Sequence, residues 1–274
     1  MTEMVRIHFD DEETDSREPR GAAMSGDDRV AVVTGASAGI GFSIAERLLA
    51  DGFRVAMISS SEGSAAEAAS TLDAAGTRAR GYRADVKDRA QVDRAIASAR
   101  EELGPISVIV ANAAVAPQKA FLEMTQEEWE STIAINLTGT FNTVQAALGD
   151  LVEQGWGRVV LISSSSAQRG SPRMAHYAAS KGGQMALTKA LAVEFARSGI
   201  TVNTVVPSSI ESRSTARKQA EGTIPSSEEM GKFIPVGRMG RGEDIAAAVS
   251  YLAGDGASFV TGQALSVNGG SFIG

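Results

Sequence analysis

From residue 29 onward, short β-branched runs alternate with longer alanine-rich stretches, and that rhythm leaves few folds open. Strands are expected at 29–34, 54–59, 79–86, 106–112, 157–163, 200–206 and 264–269. Helices are expected between them, at 40–51, 63–75, 88–103, 126–153, 174–198 and 242–253. Segments such as GIGFSIAERLLADG and DRAQVDRAIASAREELG carry apolar residues at three- and four-residue steps, which gives each helix one apolar stripe. VAVV and VIVA are apolar at every position, so their sheet must be covered on both faces. Repeated βαβ units join parallel strands through right-handed crossovers. The expected fold class is therefore α/β: a Rossmann-type, doubly wound sheet of seven parallel strands in three α/β/α layers. No repeat or low-complexity linker interrupts 29–274, which is read as a single domain.

The first 28 residues follow different physics. They hold nine acids against three bases, which is −6 of the chain's net −7, so the rest of the chain is nearly neutral. Dense like charge with little apolar content cannot drive packing, and 1–28 is expected to be a disordered acidic tail. A nearly neutral body lacks the clustered Lys and Arg of a nucleic-acid footprint. Cysteine is absent and only His8 and His176 offer imidazole, so no protein-bound metal is expected. No apolar run approaches the roughly 20 residues of a membrane span, and the N-terminus lacks a basic start followed by an apolar core. A cytoplasmic protein is expected.

Two short stretches carry chemistry. TGASAGIG, 34–41, lies between the first strand and the first helix. Gly35 permits a tight turn there, while Gly39 and Gly41 let the backbone approach an anion at a helix N-terminus. Glycines can also serve helix–strand packing alone, and the turn by itself does not separate the two readings. HYAASKG, 176–182, places Tyr177 and Lys181 four apart, on one face of a helix. Such a pair can simply share a half-exposed surface.

Further stretches join these: Asp85–Val86 after the third strand, ANAA at 111–114, Asn136 in AINLTGTF, ISS at 162–164, YAASK at 177–181 and Pro207–Ser208. In this order, with Tyr177 thirteen residues after Ser164, they resemble the short-chain dehydrogenase/reductase family. The likeness is to its compact ketoreductases, the 3-oxoacyl-(acyl-carrier-protein) and polyketide types. The resemblance covers nearly all of 29–274. It departs from the usual pattern at ANAA, where the family has NNAG, and at Ser208, where it has glycine.

The resemblance implies a NAD(P)-dependent oxidoreductase with catalytic Asn136, Ser164, Tyr177 and Lys181. It implies a dinucleotide held by Gly35, Ser37, Ala38, Gly39, Ile40, Gly41, Ser59, Ser60, Asp85, Val86, Asn112, Pro207 and Ile210, with Tyr177 and Lys181. Ser164, Gln168 and Tyr177 would face the substrate. Tyr177 would give a proton to the developing alkoxide, with Ser164 orienting the substrate oxygen. Asn136 would bend its helix around a water that links Lys181 to solvent. Lowering a phenol from about 10 to about 7 takes about 4 kcal/mol. A lysine charge about 5 Å away supplies roughly 3 kcal/mol at an effective dielectric of 20. Local alternatives stand beside these roles: Asn136 as a kink cap, Asp85 as a helix-start residue, and Ser164 as one of four serines in a loop.

Cofactor choice in such folds is made at the end of the second strand, here MISSSEG. Ser59, Ser60 and Ser61 precede Glu62, so NADPH is expected over NADH. Ala38 stands where phosphate-using relatives often carry a base, and Arg54 and Arg78 are the candidates to replace it. The expected reaction is reduction of a small-molecule ketone, on an acyl or polyketide-like compound. A NAD-dependent alcohol, sugar or steroid dehydrogenase and a nucleotide-binding regulator are the alternatives. The polar segment 208–235 is expected to be a substrate lid. Family habit implies a homo-oligomer, dimer or tetramer, paired through 126–153 and 174–198.

Overall fold

A computed structural model describes residues 29–273; the acidic segment 1–28 lies outside them. Seven strands form one parallel sheet: β1 (Val30–Thr34), β2 (Arg54–Ser59), β3 (Ala79–Arg83), β4 (Ile106–Ala111), β5 (Gly157–Ile162), β6 (Ile200–Pro207) and β7 (Ala264–Val267). Their spatial order is β3-β2-β1-β4-β5-β6-β7. The order reverses at β1, which pairs with β2 on one side and β4 on the other. A crevice therefore opens beyond the C-terminal ends of β1 and β4, the place where doubly wound sheets take ligands.

Alternate strand residues build two cores. Ala31, Val33, Val55, Met57, Val108 and Val110 face α1 (Gly39–Ala50) and α10 (Gly242–Ala253), meeting Ile44, Leu48, Ile245 and Val249. Val30, Val32, Ile58, Ile106 and Ile109 face α3 (Arg89–Leu103) and α5 (Gly139–Gln154), meeting Ile96, Leu103, Val144 and Leu151. Each such fully buried aliphatic side chain contributes about 1.5–3 kcal/mol relative to exposure. α2 (Ser64–Leu72) covers β3, and it approaches so closely that a Cβ on Gly81 would fall 2.2 Å from the Ala65 carbonyl carbon.

The structure departs from expectation in three places. Residues 126–153 do not form one helix: α4 (Gln126–Ile133) passes through a π-helical turn, Ala134–Thr138, before α5. The cause is Asn136, whose side chain accepts from Val115 N and donates to Val115 O, both at 2.9 Å, fastening the helix to the chain after β4. Thr140 and Thr143 add hydroxyl bonds back to Asn136 O and Gly139 O, at 2.7 and 2.8 Å. Residues 208–235 are not merely loop but hold α8 (Arg213–Ala220) and α9 (Ser227–Gly231). β3 and β7 stop short of 86 and 269, because Asp85 and Asn268 turn the chain through side-chain bonds to Lys87 N and Gly270 N. α6 (Ser166–Arg169) and α7 (Ala175–Phe195), followed by a 3-10 turn over Ala196–Ser198, complete the chain's helices around the crevice.

Candidate active site

The glycine turn is tied to the neighbouring strand end before it meets anything else. Asn112, just past β4, donates through Nδ2 to Thr34 O (2.9 Å) and Gly35 O (3.3 Å), while its N–H bonds Thr34 Oγ1 (3.1 Å). Its side chain is thus spent on shaping the turn. A Cβ on Gly41 would fall 2.3 Å from Gly35 O and 2.6 Å from Asn112 Nδ2, so no other residue fits there. Gly39, at φ +58, has no atom within 4 Å of where a Cβ would stand. The α1 N-cap, Ala38, offers no side-chain cap, and no acid sits in the first turn. Uncapped N–H groups beneath open space fit the pyrophosphate of a dinucleotide.

Beyond β2, Ser59 Oγ lies 3.1 Å from Ser37 Oγ and 3.0 Å from Ser64 Oγ, joining three hydroxyls into one group. A cavity of about 800 Å³ adjoins it, bordered by Ser37, Ala38, Gly39, Ser64, Glu67 and Arg241. Ser60 is exposed at the rim. Glu62 points to the surface, where it pairs with Arg83 at 3.5 Å. Arg54 and Arg78 do not reach this group. Both sit where β2 and β3 begin, and they bond Leu103 O (2.8 Å) and Leu49 O (2.7 Å) there, at the opposite edge of the sheet. Asp85 is half-exposed and faces Lys87, 3.4 Å away, and Val86 packs under Gly139.

The second half of the site is built around the end of β5. Ser163 N and Ser165 N bond Val205 O (2.9 Å) and Pro207 O (2.8 Å), which locks the serine loop onto β6. Ser163 Oγ donates to Lys181 O at 2.9 Å, drawing α7 against the same strand end. Tyr177 is partly buried, with Ser164 beside its phenol. Lys181, fully buried, donates to Ile162 O (2.6 Å) and Gln184 Oε1 (3.1 Å), and its Nζ stands 5.9 Å from the Tyr177 ring centre. Asn136 closes the group by donating to Ser180 Oγ at 3.0 Å.

Electrostatics here differ from expectation. Burial pushes the Tyr177 phenol above its usual value, and the Ser164 hydrogen bond offsets only part of that rise. Burial alone brings Lys181 down to about 7. Desolvation thus acts on both groups, and the ammonium is turned toward Ile162 O and Gln184 Oε1.

Ser164, Tyr177, Lys181 and Asn136 converge, but Gln168 stands apart. Its Nε2 leans on Ser266 Oγ of β7 at 3.4 Å, and its Oε1 is buried without a partner. Pro207 ends β6, and Ile210, near the start of the 208–235 segment, bridges to Gly240. Ser208 Oγ is likewise buried and unpartnered. Sequence reasoning passed over Gln184, although His176, Ser180, Gln184 and Thr188 form a polar column at four-residue steps on a buried helix face.

A glycine turn at a helix N-terminus and a Ser–Tyr–Lys group past the end of β5 fit an oxidoreductase of the nicotinamide-dependent class acting on CH–OH and C=O groups, the class to which the similar proteins also point. The chain belongs to the short-chain dehydrogenase/reductase family: the family profile described as enoyl-(acyl carrier protein) reductase matches residues 35–271. It is 36% identical over 253 residues to 3-oxoacyl-(acyl-carrier-protein) reductase FabG of Salmonella typhimurium, covering 91% of this chain and 100% of that protein. It is 39% identical over 245 residues to acetoacetyl-CoA reductase of Shinella zoogloeoides, covering 89% and 99%. A variant of actinorhodin polyketide ketoreductase, solved with NADPH, superposes with a TM-score of 0.85 at 36% identity, covering 90% of this chain and 98% of that one.

Proposed function

We propose that the protein reduces a ketone on an acyl or polyketide-like small molecule to a secondary alcohol, using NADPH. The observation that carries this reading is the convergence of Ser164, just past β5, with Tyr177 on α7 and a fully buried Lys181 one turn further along that helix. Two neighbouring hydroxyls suit a single substrate oxygen, as a carbonyl offers. The named relatives support it, since both reduce 3-oxo groups by name and the solved ketoreductase carries NADPH.

When bound, the dinucleotide supplies the hydride. The chain's residues then manage one oxygen and one proton. Ser164 Oγ donates to the substrate carbonyl and holds it in register. Tyr177 Oη passes its proton to the oxygen as negative charge builds there, and the Lys181 ammonium stabilises the phenolate left behind. Asn136 keeps the π-helical turn fastened to Val115, and so holds α7 at its distance from the strand end. NADPH is favoured over NADH by the Ser37–Ser59–Ser64 hydroxyl group, into which no carboxylate is bonded among the described residues. A homodimer or homotetramer formed through α5 and α7 completes the proposal.

A panel of ketones at fixed NADPH, followed by loss of nicotinamide absorbance, tests the reaction. Tyr177→Phe is expected to cut turnover by about 10²–10⁴-fold while leaving NADPH affinity intact. Undiminished turnover in that variant would eliminate the mechanism, and a preference for NADH would overturn the cofactor.

A further inference from the structure

An ammonium buried away from water must place its hydrogens on acceptors or lose its charge. Lys181 has three hydrogens. Ile162 O takes one at 2.6 Å and Gln184 Oε1 takes another at 3.1 Å, which leaves one directed by the first two. Ile162 O belongs to the backbone of β5, so Gln184 is the adjustable partner.

The orientation of the Gln184 amide follows from its other end. Nε2 faces Asn136 O at 2.9 Å and Thr140 Oγ1 at 2.6 Å. Asn136 O can only accept, and Thr140 already donates its hydroxyl hydrogen to that same carbonyl at 2.7 Å, so its oxygen accepts as well. Two acceptors on one side require the amide nitrogen there, and the oxygen must face the lysine. Gln184 is fully buried, so solvent does not compete for either end of its amide, which is held by bonds at both ends. The result is a neutral bridge from the π-helical turn to the ammonium. Tyr177 is the titratable side chain recorded against Lys181, and no carboxylate among the described residues pairs with it.

We infer that Gln184 is a positioning residue which keeps the Lys181 ammonium charged and held beside Tyr177, 5.9 Å from its ring centre. This rests on the roles proposed above for Tyr177 and Lys181. A leucine at 184 keeps the volume and removes the acceptor, so Lys181 should give up its proton more easily. A glutamate keeps the reach and adds a charge, so Lys181 should hold its proton more tightly while its field at Tyr177 is cancelled. The two substitutions therefore move the lysine in opposite directions and the tyrosine in the same one.

The test uses the full-length protein, Gln184→Leu and Gln184→Glu, with thermal unfolding to establish folding. Lysine labelled with ¹³C at Cε is titrated by NMR without any ligand, with Lys181→Arg assigning the resonance. The Lys181 midpoint should fall in the leucine variant and rise in the glutamate variant. In alcohol oxidation with NADP⁺, where Tyr177 must lose its proton, the pH at which kcat rises should move upward in both. The loss near pH 7 should be about tenfold or more, with KM little changed, as expected for a hydrogen bond to a charged group. An unmoved lysine midpoint, or a uniform loss of kcat at every pH, would overturn the inference. Failure of both variants to fold would do the same by making Gln184 a structural residue. The titration requires neither ketone nor nucleotide, so an inactive wild-type protein would sink the proposed reaction and still leave Gln184 decided.

Discussion

At the scale of single residues, Lys181 makes the site costly to hold together. Among the described residues it is the largest side chain that is fully buried, and burial brings its pKa from 10.5 down to about 7. Between those two pH values the unfolded chain binds a proton that the folded chain does not. Stability must therefore rise as pH increases from about 7 toward about 10, and the contribution is lost as pH falls through that window. Lys181→Met keeps an unbranched side chain and has no proton to bind. The midpoint of urea unfolding for the wild type should climb relative to this variant between pH 7 and 9.5, and parallel midpoints would contradict the assignment. The variant should also lose nearly all turnover. A residue that the fold would be more stable without is more readily explained by chemistry than by packing.

At the scale of elements, the N-terminus of α10 shows how local charge fixes a helix start. Asp244 receives two hydrogen bonds from Arg238, at 2.7 and 2.8 Å, and one from Arg241 N at 2.8 Å. Those bonds hold its carboxyl down at about 2, the Arg238 guanidinium being the first cause. Its stabilising effect is therefore complete above about 4 and lost as pH falls toward 2. Asp244→Asn should lower Tm by about 1–3 °C at pH 7, a small change because solvent screens the pair, and the difference should shrink at pH 2.5. A difference that persists at low pH would place the effect elsewhere. This helix was legible at 242–253 because its apolar period and acidic first turn lie within the segment itself. The π-helical turn was not, since its cause is a contact between Asn136 and Val115, twenty-one residues apart. α9 carried a readable signal that was passed over: Ser226 and Glu229 form a reciprocal capping box. In a segment rich in serine and glycine, that cap was outweighed by composition.

At the scale of the whole molecule, the doubly wound sheet of seven parallel strands followed from the alternation of runs, because parallel crossovers admit few topologies. The meeting of Ser164, Tyr177, Lys181 and Asn136 was readable only as a set of spacings. Arg54 and Arg78 lie where β2 and β3 begin, whereas ligands in such sheets lie beyond the strands' C-terminal ends, so their distance from the Ser37–Ser59–Ser64 group was implied by the strand assignment and overlooked. The proposed assembly would draw on what the assembled chain leaves exposed. Phe141, Gln145, Leu148 and Val152 follow one stripe along α5, with Phe141 45% and Val152 43% exposed. On α7, Gly182, Ala186 and Ala190 lead to Val193, 65% exposed, and small residues at four-residue steps let a second helix approach closely. Burying such a stripe against its symmetric mate removes apolar surface from water without recruiting any charge. Sedimentation velocity should therefore find a dimer or tetramer for the wild type at micromolar concentration. Phe141→Asp with Val193→Asp should shift it toward monomer, because a charge placed on each stripe meets its own copy across a twofold axis. An unchanged sedimentation coefficient in the double variant would remove these two helices from the interface, and a monomeric wild type would remove the assembly altogether.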